Sequence, residues 1–180
     1  MRKLLNFALF QAGWFASVLL GAGSAHWLAP IVVIAIVFVH LHLSPQRKAE
    51  LYLLGYALLV GLLWENLLAV TGLVVYPSGQ PFGVLAPVWI LAMWPLLAIT
   101  LNVSLRWLQG IQPVAALFGA VGGPLAFLAG ERLGAVHFPD TIITMMALAV
   151  GWAALFPLLV RIAANNDGHA MSHAIESEAR

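Results

Sequence analysis

Pro30-Ile31-Val32-Val33-Ile34-Ala35-Ile36-Val37-Phe38-Val39-His40-Leu41-His42-Leu43-Ser44-Pro45-Gln46-Arg47-Lys48 decides the fold class of this chain. A proline suited to a first helical turn opens an apolar run, a Ser-Pro turn closes it, and two cations follow at once. This is the pattern of a helix that crosses hydrocarbon and stops at a basic edge. The same pattern recurs on both sides of it. Apolar stretches separated by turn residues run from about Leu4 to Gly23, Glu50 to Val70, Pro87 to Leu108, Pro113 to Gly130 and Pro139 to Ala163. The expected architecture is all-α, a polytopic transmembrane bundle of about six helices over residues 1–164. Residues 165–180 turn polar and read as a disordered cytoplasmic tail.

Bulk composition agrees. Hydrophobic residues make up 62% of the 180 positions and charged residues 8%, where a soluble domain carries roughly 25% charged residues. Mean hydropathy is +0.96. A net charge of +1 gives no reason to expect a nucleic-acid partner, and the absence of cysteine excludes disulfides and thiolate chemistry. The cations are sorted along the chain. All of the Lys and Arg residues except Arg132 fall on the termini or on alternate connections. By the positive-inside rule, both termini are expected in the cytoplasm. The run after Arg2-Lys3 exceeds the ~7–15 residues of a signal core, so it reads as a retained first span.

Small residues at four-residue spacing mark helix contacts in lipid. One stripe is Gly13, Ser17, Gly21 and Ala25; another is Gly122, Ala126, Gly130 and Gly134, with Ala115, Gly119 and Gly123 alongside. Internal helix packing is the plain reading, and a homodimer seam or a partner membrane subunit is the sharper one. Pro95 and Pro124 interrupt the fourth and fifth helices, where kinks can open a cavity or only improve packing. Trp27, Trp89 and Trp107 are expected in interfacial belts, with Trp14, Trp64, Trp94 and Trp152 deeper.

Glu65 stands out among the polar residues. It lies about five residues before the end of the third helix, on a face shared with Gly61, Ala69 and Gly72. A carboxylate there costs ~2.5–3.5 kcal/mol on insertion scales, so it is expected to face protein and to be paired or protonated. Arg132, the one cation on that side, is the expected partner. Glu65 is therefore the candidate catalytic residue, with Trp64, Asn66, Glu131, Arg132 and His137 as candidate substrate-binding neighbours. A buried Glu serving assembly alone is the rival reading. Asp140 reads as a helix N-terminal carboxylate. Asn102, Arg106 and Gln109 read as a snorkelling helix end. His40 and His42 have poor chelating geometry, and His169 and His173 lack a third ligand, so no metal is expected. No cofactor is expected either; phosphate-loop, catalytic-triad and acidic prenyl-phosphate motifs are absent.

Three stretches carry a family likeness: Trp64-Glu65-Asn66 with Gly72 and Tyr76-Pro77; Pro87-Val88-Trp89 through Trp94 to Asn102-Val103-Ser104-Leu105-Arg106-Trp107-Leu108; and Gly119-Ala120-Val121-Gly122-Gly123-Pro124-Leu125-Ala126 through Gly130 and Gly134-Ala135. From about Leu4 to Ala163 the chain resembles a family of small bacterial inner-membrane proteins catalogued only as a domain of unknown function. The resemblance implies no established activity. Some members of that family are encoded near enzymes that modify membrane fatty acids, which implies a lipid context. A fainter similarity, carried only by Glu65, exists to membrane-embedded carotenoid cyclases and hydratases.

Three functions fit the sequence. One is an enzyme or accessory protein of membrane-lipid metabolism, acyl or isoprenoid, with Glu65 as general acid or base and membrane lipids as partners. A second is a small proton- or cation-coupled transporter or permeation subunit. The third is a structural subunit without a site.

Overall fold

The computed structural model describes residues 2–166. Residues 167–180 of the polar tail, His169, His173 and Arg180 among them, therefore lie outside the described residues. Six helices follow one another: α1 (Arg2–Gly21), α2 (Leu28–Leu43), α3 (Arg47–Val70), α4 (Val88–Leu101), α5 (Gln112–Arg132) and α6 (Thr141–Asn165). Among the described residues there is no strand, only an isolated antiparallel bridge between Val75 and His137. Helices α1, α3, α5 and α6 are long and apolar enough to cross a membrane. The other two are shorter; α2 has the length of its apolar run, whereas α4 falls short of the stretch expected for it. At 1.5 Å per residue, α2 and α4 reach about 24 and 21 Å against a hydrocarbon core of ~30 Å.

The end of α4 explains the shortfall. The fourth helix was expected to continue to Leu108; it stops at Leu101, and a 3-10 turn follows at Arg106–Leu108. Polar side chains there take over the backbone groups that a longer helix would have paired. Gln109 Nε2 donates to the Leu101 carbonyl at 3.1 Å and to Asn102 Oδ1 at 2.9 Å. Asn6 Nδ2, from the start of α1, donates to the Ile99 carbonyl at 2.9 Å, and Ser104 Oγ donates to Asn6 Oδ1 at 2.8 Å. Asn102 and Gln109 thus seal a helix end through hydrogen bonds instead of snorkelling from a continuing helix.

Helices α1, α2 and α3 gather around α4, whereas α5 rests mainly on α6. Four deep tryptophans are seated on glycines, so that a Cβ at the glycine would overlap the ring: Trp94 on Gly61, Trp89 on Gly21, Trp152 on Gly123 and Trp64 on Gly151. Close approach of this kind drives helix association in lipid. Trp89, expected in an interfacial belt, is instead 1% exposed in the core, while Trp27 and Trp107 are exposed at the surface.

Helices α3 and α5 both end in a glycine with positive φ, Gly72 (71°) and Gly134 (81°). Ala135 N then donates back to the Gly130 carbonyl at 2.9 Å, closing the α5 terminus. These two stops bring the 71–87 connection and the short 133–140 loop together. Val75 N donates to the His137 carbonyl at 2.9 Å, and His137 N returns a bond to the Val75 carbonyl at 2.8 Å.

Candidate functional site

The 71–87 connection lies across one end of the bundle and is stitched down along its length. Thr144 Oγ1 donates to the Leu73 carbonyl at 2.8 Å, Ser78 Oγ donates to the Gly21 carbonyl, and Asn66 Oδ1 accepts from Ala86 N at 3.0 Å. Between the first two ties, Tyr76 points inward. Its side chain is 2% exposed.

Tyr76 meets Glu65 there. The Tyr76 hydroxyl donates to Glu65 Oε2 at 2.6 Å, and Trp94 Nε1 donates to Glu65 Oε1 at 2.9 Å. Glu65 itself is 1% exposed. One carboxyl therefore ties α3, α4 and the connection together through two neutral donors. The pairing expected with Arg132 does not form. Arg132 is exposed in the last turn of α5, where a cation complements the helix dipole. Burial and the neighbouring Glu65 push the Tyr76 phenol well above its usual 10.

The remaining expected site residues divide into two groups. Trp64 and Asn66 flank Glu65 in sequence but turn elsewhere. Trp64 packs on Gly151, and Asn66 holds the start of α4 through Ala86 while donating to the Leu62 carbonyl at 2.7 Å. Glu131 accepts from Phe138 N at 3.1 Å and lies 3.9 Å from His137 Nδ1, so these two organise the α5–α6 loop. Asp140 is the N-cap of α6, accepting from Ile143 N at 2.9 Å. The backbone bridge at Val75 and His137 is what connects the two groups.

Beside Glu65 opens a cavity of about 430 Å³. Phe7, Phe10, Trp14 and Val18 of α1 form one wall, at the spacing of a single helix face. Ile90, Met93, Trp94 and Leu97 of α4 form its floor. Gly122, Ala126 and Gly130 of α5 form the opposite wall, with Trp152 and Phe156 of α6 behind. Glu65 is its one ionisable lining residue. The small residues of α5 thus serve two purposes. Gly119 and Gly123 pack against α6, while a methyl group placed on Gly122 would have nothing within 4 Å and would face open space. Phe7, Phe118 and Leu125 on the rim are exposed, so the cavity opens sideways between α1 and α5. Along α1 it extends from Phe7 to Val18, about 16 Å. The shape is a lateral apolar groove.

A second polar cluster, which the sequence reading missed, occupies the opposite end. His40 Nε2 lies 3.3 Å from Glu50 Oε2, both residues being 6% exposed, and Asn102 Nδ2 donates to Glu50 Oε1 at 3.4 Å. These residues sit on α2, on α3 and just after α4, so no local spacing marked them. The only sequence signal was polarity inside apolar surroundings, as at Asn6.

No curated protein and no solved structure matches the chain. A family does match, described as "Protein of unknown function (DUF2878)", over residues 3–158. Four long apolar helices and an all-helical bundle make this a membrane protein, and the extent of that match makes it a member of the DUF2878 family.

Proposed function

We propose that the protein holds one hydrocarbon chain of a membrane lipid in the groove between α1 and α5, acting in or alongside membrane-lipid metabolism. One observation carries this reading: a cavity of about 430 Å³ that is lined mostly by apolar side chains and open at an apolar, exposed rim. That volume falls within the ~300–1,000 Å³ range of ligand sites. An aqueous solute would find few polar contacts there, whereas an alkyl chain arriving from the bilayer exchanges one apolar environment for another. Glu65 gives the groove a group able to accept or deliver a proton at a fixed position. Arg2, Lys3, Arg47 and Lys48 lie at the bundle end opposite Tyr76, which supports an orientation with both termini in the cytoplasm.

Native mass spectrometry of the protein released from mild detergent tests the proposal. Wild-type protein is expected to carry a lipid. Gly122→Phe and Ala126→Phe, which fill the groove from α5, are expected to lose it while keeping their helical circular dichroism. A wild-type protein free of lipid, or filled variants that retain the same lipid, would overturn the reading.

A further inference from the structure

Resting on that reading, we infer that the chain held in the groove carries a hydroxyl group part-way along its length, hydrogen-bonded to Glu65. Position comes first. Glu65 precedes the end of α3 by five residues, which places it ~7.5 Å inside the bundle from that helix terminus. A head group stays near the helix ends, where water is. What lies beside Glu65 is therefore chain.

The route from that end is also closed to a head group. Tyr76 sits directly on the carboxyl, and the bridge between Val75 and His137 fixes the connection above it. Entry is sideways, past Phe118 and Leu125, and an apolar rim admits a chain more readily than a charged group.

The chemistry of the carboxyl then selects the substituent. Each Glu65 oxygen accepts one hydrogen bond, from Tyr76 and from Trp94. An ionised carboxylate has about four acceptor positions, and a protonated one also has a proton to donate. No cation among the described residues forms an ion pair with it. Capacity for a further hydrogen bond thus remains, and a hydroxyl suits either state because it both donates and accepts. Elsewhere among the described residues the groove wall carries the polar side chains of Gln11, on α1, and Thr100. Thr100, its other hydroxylic wall residue, already donates to the Leu97 carbonyl at 2.6 Å. Trp94, the indole bonded to Glu65, stacks on Trp152 with centroids 5.1 Å apart, and both rings line the groove beside the polar point. An unmodified chain would add nothing to the two hydrogen bonds that the carboxyl receives from Tyr76 and Trp94.

Two probes test this in detergent-solubilised full-length protein: an unsubstituted saturated fatty acid, and the acid of equal length bearing a mid-chain hydroxyl. Isothermal titration calorimetry should give a Kd about tenfold lower for the hydroxy acid, the ratio that one charge-assisted hydrogen bond supplies. In Glu65→Met the two should bind alike, and Gly122→Phe should bind neither. If Glu65→Met does not fold, the wild-type comparison decides by itself. Equal affinities in wild type would overturn the hydroxyl inference and leave the chain-binding groove standing. Failure of both probes to bind would overturn the groove as well.

Discussion

Glu65 Oε1 and Trp94 Nε1 meet at 2.9 Å across the interface of α3 and α4, and the indole that makes this bond is the one seated on Gly61 a turn earlier in α3. Hydrogen bond and close packing therefore fix the same ring in the same place. Neither can be removed without disturbing the other, which makes the pair a rigid reference for the groove wall beside it.

The Tyr76 bond can be tested more cleanly. Tyr76→Phe keeps the ring and deletes one donor to a buried carboxyl, so it should destabilise the protein by about 1.5–3 kcal/mol. Thermal unfolding in detergent, followed by circular dichroism, measures this. No loss of stability would mean that the carboxyl does not depend on the phenol.

Packed glycines and the groove-facing Gly122 should respond in opposite directions. Gly61→Ala and Gly123→Ala drive a methyl into Trp94 and Trp152 and should cost about 1–3 kcal/mol each. Gly122→Ala places its methyl in open groove and should be neutral, or stabilising by up to about 1 kcal/mol through helix propensity. Unfolding midpoints of the three variants, taken side by side, check the contrast.

At His137 the backbone matters more than the ring. His137→Ala leaves both hydrogen bonds to Val75 in place, whereas His137→Pro deletes the donor of one of them. Hydrogen exchange across residues 71–87 should be unchanged in the alanine variant and clearly faster in the proline variant. The cores of α3 and α6 should keep their protection in both.

Alkaline pH provides a further check. The Tyr76 phenol is raised above 10 in the folded protein by burial and by Glu65. Above pH 10 the unfolded chain releases that proton while the folded chain keeps it, so the unfolded state binds fewer protons and stability falls as pH rises. Tyr76→Phe should flatten this decline relative to wild type. Parallel slopes for the two proteins between pH 10 and 11 would contradict the assignment.

Much of the fold was legible because apolar runs and turn residues are local signals. The end of α2 follows from Ser44-Pro45, and α3 stops at Val70, where its apolar run was read to end. The end of α4 was not legible, because its early stop depends on Asn6 and Gln109 reaching backbone carbonyls from distant parts of the chain. Glu65 could be read as facing protein from Gly61 and Ala69 on its helix face. Its partners could not. Charge logic pointed to Arg132, whereas the actual donors are a phenol and an indole, 11 and 29 residues away in sequence. The groove was hidden for a related reason: Gly122 and Gly123 are identical and adjacent in sequence, but one faces empty space and the other a tryptophan.

Unequal helix lengths give the bundle unequal flanks. At α2, whose Ile31, Ile34 and Phe38 are exposed, 16 apolar-rich residues offer the bilayer about 24 Å, while the 25 residues of α6 span about 38 Å. Lipids beside α2 must thin or the helix must pull its ends inward, and α6 must tilt, each at a fraction of a kcal/mol per Å of mismatch. The protein should accordingly impose a thickness gradient on its lipid annulus and favour thin bilayers over thick ones.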